Sequence, residues 1–122
     1  MAKYENIRAL AKKQLQAVTE SSDRWKAFLQ TAAIAYNYSF PNQLLIHEQS
    51  PTATAVADIA YWNNNAGRWV KRGAHGIAVF DTRSNSSRLR YLFDISDTIP
   101  RAEIPEALPW VITDQNWRPV WD

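Results

Sequence analysis

Cysteine is absent from this chain of 122 residues, and histidine occurs only as His47 and His75. The first absence excludes disulfides and thiolate chemistry. The second leaves no standard spacing of metal ligands, so no zinc site and no other cofactor is expected. No apolar run approaches the roughly 20 residues that a membrane helix needs, and the N-terminal stretch around Glu5 lacks the apolar core of a secretion signal. A soluble, cytoplasmic protein without a membrane partner is therefore expected. Missing too are a His-Glu-x-x-His segment and a phosphate-binding loop. Asp94 and Asp97 have no histidine, nucleophile or third ligand in sequence reach, so a turn is their expected role and a non-catalytic protein the expected class. Glycine is scarce as well: Gly67, Gly73 and Gly76 are the whole complement.

What the chain does have is apolar residues, at 46%, enough for one core at this length. Its charge is divided unevenly. Arg68, Lys71, Arg72, Arg83, Arg88 and Arg90 stand against Asp81 alone between residues 68 and 90, a net +5. Residues 91 to 122 carry a net −4, which the overall +2 conceals.

Periodicity predicts the elements. Ile7, Leu10, Ala11, Leu15 and Val18 recur at helical spacing over residues 4 to 19. A cap among Ser21, Ser22 and Asp23 opens a second helix to about residue 37, with Trp25, Phe28, Leu29, Ala32, Ala33 and Tyr36 on one face. Ser39-Phe40-Pro41 starts a third, over residues 42 to 49, with Leu44, Leu45 and Ile46 on its inner side. A strand is expected over residues 52 to 57, then an Asp58-capped helix holding Ile59, Tyr61 and Trp62 and stopping near Asn65. Residues 68 to 70, 76 to 81 and 88 to 94 read as successive antiparallel strands. Pro100, Pro105 and Pro109 predict extended chain, and Thr113 is a candidate cap for a last turn holding Trp117. The expected class is α+β, three to four helices packed on a small antiparallel sheet. Residues 1 to 98 are expected to form the domain and residues 99 to 122 a proline-rich extension, whose abrupt end suits a trimmed chain or a natural gene fragment.

The order of several blocks is distinctive: Tyr38-Ser39-Phe40-Pro41-Asn42-Gln43-Leu44-Leu45-Ile46, Gln49-x-Pro51-x-Ala53-Thr54, Trp62, Gly67-Arg68-x-Val70-x-Arg72-Gly73-x-x-Gly76-Ile77 and Tyr91-x-Phe93-Asp94-Ile95-Ser96-Asp97-Thr98. Together they resemble the N-terminal domain of ArdC-type antirestriction proteins and related modules of conjugative plasmids and integrative elements. The resemblance covers roughly residues 22 to 115. It implies an α+β domain that binds single-stranded DNA, and it carries over no peptidase, helicase or primase activity. Arg68, Lys71 and Arg72 match that family's basic block. His75 departs from it, standing where many relatives have a lysine, which makes the loop less cationic near neutral pH.

Each motif has a bland reading beside the functional one. Arg68, Lys71 and Arg72, next to Gly73 and Gly76, suit phosphate contact, and equally a solvated turn. Alternation puts Tyr91 and Phe93 in the core, with Arg88 and Arg90 facing solvent or ligand. Trp69 is the preferred stacking residue; Trp25 and Trp62 are assigned to the core. Asn42, Gln43 and Gln49 either read bases or satisfy backbone groups, with the structural role favoured for Asn42, and His47 is read as a helix-surface residue. The resulting candidate nucleic-acid site is Arg68, Trp69, Lys71, Arg72, Gly73, His75, Gly76, Arg88 and Arg90. Two other readings stand beside it. One is a counter-defence inhibitor of a host nuclease, with Asp94, Asp97, Glu103, Glu106, Asp114 and Asp122 imitating phosphates. The other is a module docking onto other conjugation proteins through Trp110, Trp117 and Trp121.

Overall fold

Side-chain caps start three of the helices. In the computed structural model, which describes residues 3 to 83 and 87 to 101 and the backbone of 111 and 112, Ser21 accepts from Arg24 N–H at 3.2 Å and opens helix α2, Ser22–Ile34. Ser39 accepts from Asn42 N–H and opens α3, Phe40–Gln49, with Pro41 in its first turn. Asp58 accepts from Tyr61 N–H at 2.9 Å and opens α4, Ile59–Asn64. Each cap satisfies a donor that the first turn leaves without an intrahelical partner. Helix α1, Tyr4–Val18, precedes them and has no side-chain cap. Its inward residues are Ile7, Ala11, Gln14 and Val18, while Leu15, expected inside, is exposed.

Helix α3 is the centre of the molecule, packing on α1, α2 and strand β3. Leu45 and Ile46 are fully buried, and with Ile7, Ala11, Ile77, Val79 and Leu92 they form the main core. A smaller cluster joins Val18, Phe28 and Leu44. The face of α2 expected to be apolar is largely open: Phe28 is buried, but Trp25, Leu29 and, just past the helix, Tyr36 are exposed. Trp25 therefore does not take the core position expected of it. α2 ends at Ile34, three residues early, where Gln43 Nε2 donates to the carbonyls of Ala35 and Tyr38.

The strands form two antiparallel sheets. In the first, β4 (Leu89–Asp94) lies between β1 (Val56–Ala57) and β3 (Ile77–Phe80), with Ile77 opposite Leu92 and Ala57 opposite Phe93. In the second, β2 (Arg68–Lys71) lies between β5 (Thr98–Pro100) and β6 (Val111–Ile112). The sequence predicted β2 and β3 as consecutive strands of one sheet, and they are not paired. The reason lies on α3. Asn42 Nδ2 donates to Phe80 O while Asn42 Oδ1 accepts from Phe80 N–H; Gln49 makes the same reciprocal pair with Ala78, at 2.8 and 3.0 Å. Two primary amides, seven residues and two helical turns apart, thus occupy the outer edge of β3. β2 pairs elsewhere, and Gly73, with φ at 87°, turns the chain between the two sheets.

β1 is also shorter than expected. The N–H groups of Thr54 and Ala55 turn to the Asp94 carboxylate instead of a ladder, at 2.9 and 3.1 Å. Asp94 accepts in addition from Ser96 N–H and Oγ–H, capping a short 3-10 turn, Ile95–Asp97. Burial raises the Asp94 carboxyl, and these four hydrogen bonds more than offset that, holding it below its ordinary value. The turn expected at Asp94 and Asp97 is present, with Asp94 as its cap. Between the sheets, Val70, Trp62, Phe93 and Ala57 form a second core, where Trp62 Nε1–H donates to Phe93 O at 2.9 Å. The fold is α+β, and the chain from residue 98 onward supplies strands β5 and β6 to it. Pro105, Pro109 and the Thr113 cap lie outside the described residues, as do Trp110, Trp117 and Trp121.

Candidate nucleic-acid interface

Strand β2 divides its cations by alternation. Val70 is fully buried, and Arg68, two residues before it, is half-buried and committed to the neighbouring strand: Nε donates to Thr98 Oγ1 at 2.6 Å and a terminal nitrogen to Thr98 O at 3.2 Å. Pairing with β5 thus turns the Arg68 side chain to Thr98. Trp69 and Lys71 occupy the opposite face. Lys71 Nζ donates to Ser96 O at 3.2 Å, and the Arg101 guanidinium lies over the Trp69 ring, 4.3 Å from its centroid. Arg101 also donates to the Asn63 carbonyl, so its position over the indole is held from α4. Arg72 and Gly73 follow in an exposed turn closed by Ala74 N–H on Lys71 O, and His75 is exposed beyond it, before the half-buried Gly76.

Arg101 was not among the residues singled out from the sequence. Nothing local marks it, because it reaches Trp69 only through the β2–β5 register, which sets Trp69 opposite Ile99. A sheet face that carries Trp69, Lys71 and Arg101 beside Arg72 joins one aromatic surface to three cations.

Arg88 and Arg90 belong to the other sheet. Arg88 is exposed just before β4, and its carbonyl accepts from Asp81 N–H at 2.9 Å. Arg90, expected to face solvent or ligand, is drawn partly inward: a terminal nitrogen pairs with Asp58 Oδ2 at 3.4 Å, and the guanidinium carbon lies 5.8 Å from the Tyr38 ring centroid. Around it runs a groove of about 590 Å³ between the end of α2, β1 and α4, walled by Tyr36, Tyr38 and Tyr61 with Trp62 behind them. Tyr36 is 81% exposed and Tyr61 49% exposed, so both rings are accessible at the mouth. Tyr38 sits deeper and donates its hydroxyl to Val56 O. Burial raises the Tyr38 phenol, more than Arg90 lowers it, so the hydroxyl keeps its proton.

His47 is not the surface residue expected. Its ring is half-buried, hydrogen-bonded through Nδ1 to Thr31 Oγ1 at 2.8 Å and edge-on to Phe28. Burial lowers its proton affinity despite the neighbouring Glu48. Among the described residues, no group of three or more His, Asp or Glu is placed to hold a metal ion, and no helix is long and apolar enough to cross a membrane.

No protein-family model, no curated protein and no solved structure matches this chain.

Proposed function

We propose that the protein is a non-catalytic module that binds single-stranded DNA with little regard to sequence, of the kind carried by antirestriction and conjugation proteins of mobile elements. The observation that carries this reading is the Trp69 indole held under Arg101 on the face that also bears Lys71, with Arg72 in the adjoining turn. The guanidinium-capped indole, beside Lys71 and Arg72, offers a base a cation–π stacking platform and the flanking phosphates their counter-charges. Gly73 lets the turn bend at a φ that other residues rarely adopt, which keeps Arg72 on the exposed side of that bend. Arg88, on the other sheet, adds to the same positive field at longer range.

The test is replacement of Lys71 and Arg72 by glutamate. Neither side chain is buried, so the fold is retained, and affinity for an unstructured oligonucleotide is expected to fall at least about ten-fold, the equivalent of two lost phosphate contacts reversed in sign. Unchanged affinity would remove this face from the interface. The reading as a phosphate-imitating inhibitor gains nothing from Asp94, whose oxygens are buried and already accept four hydrogen bonds.

A further inference from the structure

The groove around Arg90 combines features that ordinary packing does not require. Among the described residues, Arg90 Nε is a buried donor with no hydrogen-bond partner. Such a group costs about 1 to 3 kcal/mol unless something accepts from it. The same guanidinium is fixed in place by Asp58 on one side and the Tyr38 ring on the other. Asp58 is itself held, because its Oδ1 caps α4 while Oδ2 meets Arg90. The groove lining therefore sets a guanidinium and a carboxylate, each partly exposed, side by side. Its walls include three tyrosine rings, and two of them, Tyr36 and Tyr61, are exposed. At about 590 Å³ the space falls in the ordinary range for sites that hold small organic ligands.

We propose that this groove is a subsite for one unstacked nucleobase, with Tyr36 and Tyr61 contacting its faces and Asp58 and Arg90 meeting its polar edge. A base suits the groove on three counts. Its flat faces can stack on the exposed Tyr36 and Tyr61 rings that line the space; its edge carries donors and acceptors together, to meet the Asp58–Arg90 pair; and it is uncharged, as suits a site where one carboxylate already neutralises the guanidinium. An anionic ligand would meet Asp58 and gain little. The inference rests on the nucleic-acid reading above and adds to it a second point of contact, distinct from the Trp69 face. Ala66, at the groove's end, lies two residues before Arg68, so the chain leads from one region directly to the other.

The experiment measures binding of a fluorescent oligothymidylate and of an abasic strand of equal length to four proteins: the unaltered chain, Tyr36→Ala with Tyr61→Ala, Asp58→Asn, and Lys71→Glu with Arg72→Glu. Tyr36 and Tyr61 are exposed, and asparagine caps helices as well as aspartate does, so these variants fold. The tyrosine pair is expected to bind oligothymidylate about ten-fold more weakly, with affinity for the abasic strand and the salt dependence unchanged, since one stacked base is worth about 1 to 3 kcal/mol. Asp58→Asn is expected to weaken the oligothymidylate alone. The Lys71 and Arg72 variant weakens both strands. If the tyrosine pair binds oligothymidylate as the unaltered protein does while the Lys71 and Arg72 variant does not, the groove assignment falls and the nucleic-acid reading survives. If the unaltered protein binds neither strand, both fall. Thymidine monophosphate separates a strand subsite from a free-nucleotide site. Competition only at far higher concentration is expected, and tight binding of the free nucleotide with no effect of the groove variants on the strand would overturn the proposal.

Discussion

Asp94 shows how much one side chain holds together here. Its two oxygens accept from residues before β1 and residues after β4, so the carboxylate ties the start of β1 to the end of β4 at one end of their antiparallel ladder. Replacing it by asparagine puts a donor where Ser96 also donates, and a loss of about 1 to 3 kcal/mol is expected from chemical denaturation at neutral pH. The carboxyl's proton affinity is depressed on folding, so its stabilisation is complete above the unfolded value of 3.8 and is lost as pH falls through the lower folded value. Acid unfolding of the parent protein should steepen in that window, and the asparagine variant should not show that component. His47 acts higher on the scale. Its folded proton affinity is also lowered, so the neutral ring is favoured by folding, and stability is expected to decline as pH drops below 6.5. A His47→Gln variant, melted at pH 7.5 and 5.5, should lack that decline; an identical decline would assign it to another group.

Among the elements, the pairing of α3 with β3 decides the topology. Asn42 and Gln49 lie two turns apart on one helical face, and the residues they reach, Ala78 and Phe80, lie two apart on one strand edge. The helix side chains thereby stand in for a missing strand. Gln49→Ala leaves a buried N–H and C=O of Ala78 without those partners, and a destabilisation of about 1 to 3 kcal/mol is expected, with faster hydrogen exchange at Ala78. Loss of stability without faster exchange at that amide would place the effect elsewhere. This arrangement also marks the limit of what the chain discloses before folding. The caps Ser21, Ser39 and Asp58 were legible because each acts within three residues of itself. The division into two sheets was not, because residues 68 to 70 and 76 to 81 carry equally good strand patterns, and what separates them is a pair of amides about 30 to 40 positions earlier. The site was legible to the same extent. Its charges and Trp69 stand out in the sequence, whereas Arg101 and the Asp58–Arg90 pair come into place only through strand register and the placing of the α4 cap just after β1.

At the scale of the whole molecule, the cations that look like one cluster in the sequence separate into three environments. Arg68 is bonded to Thr98 on the neighbouring strand of its own sheet, Arg90 is paired with Asp58 in the groove, and Lys71, Arg72 and Arg101 remain on or beside the opposite face of β2. A strand bound across this surface would exchange counter-ions chiefly at that last group, so fewer phosphates are neutralised than the net charge of residues 68 to 90 suggests. The most direct measurement is therefore the affinity of the protein for a fluorescent oligonucleotide at two salt concentrations, repeated with Lys71→Ala and Arg72→Ala together. The unaltered protein is expected to lose affinity with a log–log slope steeper than about −1.4, and the double variant to show a slope shallower by about that amount, at about −0.7 per contact. Binding that ignores salt, or a slope that the double variant leaves where it was, would contradict the account.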